Sequence, residues 1–169
     1  RRLPSGPAPD GQPSEGMTGG FRWHPKARLF DALGGQIGPL PDGASVAEDT
    51  AQGLAQALGM PAFRLGATDD PAPVPTDVPV FETLTSGSTA RPRRILRTQA
   101  SWTASFAVNA RFGIGPDARI AVLGRLVQSL ALYGAVEGLH LGAAVHVLDA
   151  LRPDRQRKVL ISHGITHLY

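Results

Sequence analysis

Ile120-Ala121-Val122-Leu123, Ala144-Val145-His146-Val147-Leu148 and Ile165-Thr166-His167-Leu168-Tyr169 are three short, largely apolar runs separated by two stretches of helical length, Leu126–Leu141 and Pro153–His163. Runs this short without sustained polar alternation read as strands covered on both faces. Gly164 closes the second helical stretch. Strand, helix, strand in that rhythm predicts parallel β-α-β units, and the fold class is α/β.

Upstream, Val78–Leu84 reads as another strand and Ile95–Arg97 as an extended segment. Thr98 stands where it can cap a helix from Gln99 to about Phe112, with Trp102, Phe106 and Ala110 on one face. Ser45-Val46-Ala47-Glu48 has the spacing of a capping box. Ala47, Ala51, Leu54, Ala55 and Leu58 follow at helical spacing, until Gly59 and Pro61 stop the helix. Ala62–Leu65 has the character of a short strand, and the proline- and aspartate-rich Asp69–Pro79 that of a connector. Residues 1–45 hold 7 prolines and 9 glycines without periodicity. The expected organisation is a largely irregular segment, 1–44, followed by a partial α/β domain, 45–169. Phe21-Arg22-Trp23-His24-Pro25 is the one cluster with aromatic anchors in that segment; it fits a pin of the segment onto the domain or, the preferred reading, an ordinary surface staple. The last apolar run stops at Tyr169, so the domain is expected to continue beyond it.

Composition removes several classes of function. There is no cysteine, hence no disulfide, thiolate metal site or cysteine nucleophile. The uncharged stretches Leu126–Val136 and Gly138–Leu148 are 11 residues each, short of the ~20 that span a bilayer. Arg1-Arg2 is followed by Pro, Gly and Ser rather than an apolar core. No membrane partner is expected, and the expected location is cytoplasmic. The formal net charge of +3 conceals an asymmetry: residues 1–89 carry 6 basic and 10 acidic side chains, residues 90–169 carry 11 and 4. Anionic partners are expected on the C-terminal half.

The densest chemistry is Thr85-Ser86-Gly87-Ser88-Thr89-Ala90-Arg91-Pro92-Arg93-Arg94, four hydroxyls and a glycine followed by three arginines. Such a loop can turn backbone N–H groups, hydroxyls and guanidinium forks toward one point, which suits a polyphosphate. It lacks the Gly-Lys pair of the common NTPase loop and is not a dinucleotide-binding glycine fingerprint. An exposed Ser/Thr-rich connection between strands fits the same composition. The five histidines lack metal-ligand spacing and are assigned to packing, so no metal ligand is expected. Glu137 and Asp149 read as isolated acids, and Ser129 lacks the setting of a hydrolase nucleophile.

The order Thr85-Ser86-Gly87-Ser88-Thr89, a pair, Pro92 and a basic residue at 93 resembles the phosphate-loop signature T-S-G-[ST]-T-G-x-P-K-G of the adenylate-forming (AMP-binding) superfamily, acyl-CoA synthetase-like. The resemblance continues through Ile95–Trp102, Arg119–Leu123, Leu126–Tyr133 and Gly142–Leu148, and covers about residues 78–169. It implies the N-terminal part of an AMP-forming ligase: ATP, with Mg2+, and a carboxylic acid give an acyl-adenylate, and a thiol of coenzyme A or of a phosphopantetheine-bearing carrier protein takes the acyl group. By position, the β- and γ-phosphates fall to Thr85, Ser86, Gly87, Ser88 and Thr89, with Arg93 in the place of the family lysine. The sequence departs from the signature at Ala90 and Arg94, where the family has glycine, and carries Gln128 where the family has histidine. The family's catalytic residues are expected beyond residue 169, so the chain alone is expected not to complete adenylation. Two alternatives stay open: a non-catalytic homologue, and a phosphate- or nucleic-acid-binding module gripping through Arg91, Arg93, Arg94 and Arg97. Against nucleic acid, no aromatic residues interleave with those arginines.

Overall fold

The computed structural model describes residues 19–85 and 92–169. Two sheets, with four helices around them, form a mixed α/β architecture. The first sheet is the predicted β-α-β region. Strand β7 (Arg119–Val122), helix α3 (Ser129–Leu141), strand β8 (Ala144–Val147), helix α4 (Pro153–Ser162) and strand β9 (His167–Leu168) follow one another. β8 and β9 both lie parallel to β7, on opposite sides of it. β8 is buried along its whole length and β7 along three of its four residues, which is why these runs carry almost no polar alternation. Gly142, at φ 96°, ends α3 in the left-handed conformation that lets the chain turn into β8.

Strand β1 (Arg28–Phe30) completes that sheet by pairing parallel with β8, and forms an antiparallel hairpin with β2 (Gln36–Ile37). The stretch read from sequence as irregular thus supplies two strands. The preceding Phe21 is no surface staple: it is 4% exposed and packs its ring against Phe63, Phe81, Trp102 and Phe106. Nothing local signals this, because the partners lie between 42 and 85 positions downstream in the sequence.

The second sheet has the order β3 (Val46–Ala47), β4 (Ala62–Leu65), β5 (Val80–Leu84), β6 (Arg94–Thr98). β3, β4 and β5 run parallel, while β5 and β6 are an antiparallel pair. Helix α1 (Ala51–Ala57) joins β3 to β4, and helix α2 (Gln99–Asn109) follows β6 directly. The capping-box reading at Ser45–Glu48 is corrected here. Ser45 and Ala47 accept the N–H groups of Arg64 and Gly66, so this segment is a strand. The helix starts later, where the Thr50 hydroxyl accepts the Gly53 N–H at 3.0 Å. Strand pairing overrode a local cap signal. Thr98 does sit at the N-cap of α2 but makes no side-chain hydrogen bond there, and the helix gives way to a 3-10 turn at Ala110–Phe112.

The core lies where the aromatic face of the second sheet meets α2 and α3. Phe63 and Phe81 are register neighbours on β4 and β5, and Trp102, Phe106 and Tyr133 extend the cluster. No helix among the described residues is long and apolar enough to cross a membrane.

Candidate nucleotide-phosphate site

β5 and β6 converge on the predicted phosphate loop. Leu84 is in register with Arg94, and the next pair forms the neck of the loop. The Thr85 N–H donates to the Arg93 carbonyl at 2.9 Å, and the Arg93 N–H donates back to the Thr85 hydroxyl at 3.3 Å. Of the sequence-predicted site residues, Thr85 and Arg93 are therefore brought together across one hairpin neck. Ser86, Gly87, Ser88 and Thr89 lie outside the described residues.

The neck stands at the carboxyl end of β5, beside the carboxyl end of its parallel neighbour β4. In open α/β sheets this is the edge at which ligands bind. A cleft of about 380 Å³ opens here between Ala67, Asp70, Leu84, Pro92 and Arg94. Arg93 and Arg94 are exposed, and the Arg94 guanidinium lies 3.8 Å from the Asp70 carboxylate across the cleft. At that distance, between exposed groups, the pair is a loose tether rather than a fixed bond. Arg94 thus brings one guanidinium to the rim of the cleft, a donor type that suits a polyphosphate, while the Arg93 side chain is not among its lining. Among the described residues no group of three His, Asp or Glu side chains is placed to hold a metal ion.

One wall of the cleft is shaped by Arg64, a residue that reading the sequence missed. Its side chain has no solvent exposure, and all its donors are used. Nε donates to Gly66 O; one terminal nitrogen to Pro71 O and, at 2.7 Å, to Glu82; the other to Ala67 O and Asp70 O. Four carbonyls of one turn point inward at a single guanidinium, which holds that turn beside the loop. An arginine inside the short strand read at Ala62–Leu65 would have been the signal.

The carboxyl end of β7 approaches from the other sheet. The Leu84 N–H donates to the Val127 carbonyl, and Ser129 Oγ donates to Thr83 Oγ1 at 3.0 Å. Gln128, at the N-cap of α3, is exposed and makes no capping bond. Nearby Asp149 has its carboxyl pushed up from the usual range, first by burial and then by the charge of Asp49.

Away from this edge, Glu137 is not the isolated acid that its sequence setting suggests. It is fully buried on α3, where Asn109 donates to Oε1 at 2.7 Å, Tyr133 to Oε1 at 3.4 Å, and Tyr169 to Oε2 at 2.6 Å. Burial, then the bond to Glu137, raises the Tyr169 hydroxyl well above its ordinary value. A larger cavity of about 520 Å³ lies at the opposite, amino end of β4 and β5, next to Phe21, Met60, Pro61, Pro79 and Gln99. The neck formed by Thr85 and Arg93 and the converging ends of β4, β5 and β7 are elsewhere.

No protein-family model matches the chain. It is 35% identical over 105 residues to an uncharacterized acyl-CoA ligase, YhfT, of Bacillus subtilis (strain 168), which covers 61% of this chain and 22% of that protein. It is 32% identical over 104 residues to phenyloxazoline synthase MbtB of Mycobacterium sp. (strain MCS), covering 59% of this chain and 9% of that one. The chain therefore spans about a fifth or less of the length of these relatives. Among solved structures, the ATP-bound RpMatB-BxBclM chimera B3 superposes with a TM-score of 0.57 at 12% identity, over 86% of this chain and 46% of that one, a likeness of fold alone. The relatives matched, an acyl-CoA ligase and a phenyloxazoline synthase, agree with the resemblance to the adenylate-forming (AMP-binding) superfamily over about 60% of this chain.

Proposed function

We propose that this chain forms the phosphate-gripping part of an AMP-forming ligase. The ligase would activate a carboxylic acid with ATP, accompanied by Mg2+, to an acyl-adenylate and pyrophosphate. A thiol, of coenzyme A or of a carrier protein, would then take the acyl group. The observation that carries this reading is the neck formed by Thr85 and Arg93 at the carboxyl ends of β4 and β5. A short antiparallel neck fixes where a loop begins and ends. Donors on that loop would then meet the β- and γ-phosphates already oriented, and charge developing on pyrophosphate is stabilised most by donors that need no reorganisation. Arg93 would supply the positive charge, and Ser86, Gly87, Ser88 and Thr89 the hydroxyl and backbone donors. The similarity to an acyl-CoA ligase supports the adenylation step. The thioester step and the cytoplasmic location are further parts of the same proposal.

The test is a triple substitution, Ser86→Ala, Gly87→Ala and Thr89→Ala, in the protein that carries this chain. The expected outcome is a loss of ATP-dependent acyl transfer of about a hundredfold or more, the size of effect produced by removing preorganised donors. Unchanged ATP use together with a salt-sensitive loss of nucleic-acid binding would instead favour a basic binding module built on Arg91, Arg93, Arg94 and Arg97.

A further inference from the structure

β5 outruns its parallel neighbour. The β4–β5 register ends at Arg64 opposite Glu82, so the N–H of Leu84 has no acceptor on β4. It donates instead to the carbonyl of Val127, at 2.8 Å, in the loop that follows β7. Val127 is itself held by its own N–H, which donates to Asp49 Oδ1 at 3.1 Å. Asp49 lies between β3 and α1, with a side chain 11% exposed, and its other oxygen accepts from Arg125 Nε at 2.9 Å. Gly66 completes the seat: a Cβ there would come within 2.5 Å of Val127 Cγ1, so only glycine lets the valine lie over it. Both polar backbone groups of one residue therefore connect a partly buried carboxylate to the last residue of β5. The next residue is Thr85, where the loop begins.

We propose that Asp49 is a positioning residue for the phosphate loop, acting through Val127 on the place where β5 delivers Thr85. This rests on reading the loop as a phosphate grip. The Arg125 guanidinium is 67% exposed and adds no constraint that water would not relax. The hydrogen bond to Val127 is the one that matters, so Asn at position 49, which keeps an acceptor, should serve and Ala should not.

The experiment follows amide hydrogen exchange and binding of inorganic tripolyphosphate in the 169-residue chain and three variants. For Asp49→Ala, exchange at Leu84 is expected to quicken about tenfold while Val145 and Val147 in β8 are unaffected. Affinity for tripolyphosphate is expected to fall about three- to tenfold, the range of effects transmitted through positioning contacts. Asp49→Asn and Arg125→Ala should leave both readouts near the unaltered chain. Should the alanine variant not fold, Asp49→Ser, too short to reach Val127, takes its place. Unchanged exchange at Leu84 would overturn the proposal, and so would faster exchange with unchanged affinity. If the unaltered chain binds no tripolyphosphate, the phosphate reading of the loop falls and the positioning role with it. The exchange data would then still report whether Asp49 restrains Leu84.

Discussion

Arg64 and Glu137 are both ionisable side chains without solvent exposure, yet they organise different things. Glu137 is met by side chains: an asparagine from α2, a tyrosine from its own helix and the tyrosine at 169. It fixes how separate elements pack. Arg64 is met chiefly by backbone, four carbonyls between Gly66 and Pro71, and by one glutamate on the adjacent strand. It fixes the shape of one turn, and that turn is a wall of the candidate site. A buried network of side chains specifies a core, whereas a buried guanidinium saturated by carbonyls makes an irregular segment rigid where a ligand would need it so.

The largest expected effects would come from breaking either hub. Glu137→Ala leaves the part-buried hydroxyl of Tyr169 without its acceptor and takes one of two acceptors from the Asn109 amide, and should cost about 2 to 4 kcal/mol of unfolding free energy in urea titration. Arg64→Ala should cost a similar amount, about 3 to 5 kcal/mol. The two should separate in local readouts. Only the Arg64 variant should loosen the Gly66–Pro71 turn, seen as proteolytic cleavage there at denaturant concentrations that leave the sheets folded. Equal loosening of that turn by both variants would erase the distinction.

A smaller effect is expected from acid. Burial, with lesser contributions from Arg22 and His24, lowers the pKa of His140 to about 4. Burial, then His163 and Arg28, does the same for His146. His140 Nδ1 accepts the Arg22 N–H, a role that needs that nitrogen unprotonated. The unfolded chain titrates its histidines near pH 6.5, so between about pH 6.5 and 4 it binds more protons than the folded one. Stability is therefore whole above pH 6.5 and lost as pH falls through that window. The loss should be on the order of 2 kcal/mol for the pair after allowance for solvent around His140. Urea titrations at pH 7 and pH 4.5 check it, and His140→Asn should flatten part of the slope. No such slope would mean that these rings are not held neutral.

The smallest effects concern the two threonine caps. Thr50→Ala removes a hydrogen bond to Gly53 and should cost about 1 kcal/mol. Thr98→Ala removes none at the head of α2 and should stay within about 0.5 kcal/mol. Thermal melts of both variants, side by side, distinguish them.

The sequence was most legible where the pattern was local. The runs at 120, 144 and 165 announced β-α-β units because strands buried on both faces need apolar residues throughout; the structure places β8 and β9 within two of them and starts β7 one residue ahead of the first, at Arg119. Thr85 and Arg93 were legible as parts of a loop because hydroxyls, glycine and arginines stand in a fixed order. Harder to read were positions whose meaning depends on distant partners. Ser45–Glu48 carried a helix-start spacing but was drawn into a strand by β4. Phe21 looked peripheral until four other aromatic rings closed around it.

By itself, then, the sequence determined the α/β class, the order of most elements and the place of a hydroxyl- and arginine-rich loop, since periodicity and residue chemistry are properties of short stretches. Only the tertiary structure decided that Arg64 shapes the cleft, that Asp49 reaches the end of β5 through Val127, and that Glu137 binds two helices and Tyr169 together. These roles are set by hydrogen bonds between residues as far as 78 positions apart, and no local pattern encodes which donor will meet which acceptor once the chain has closed.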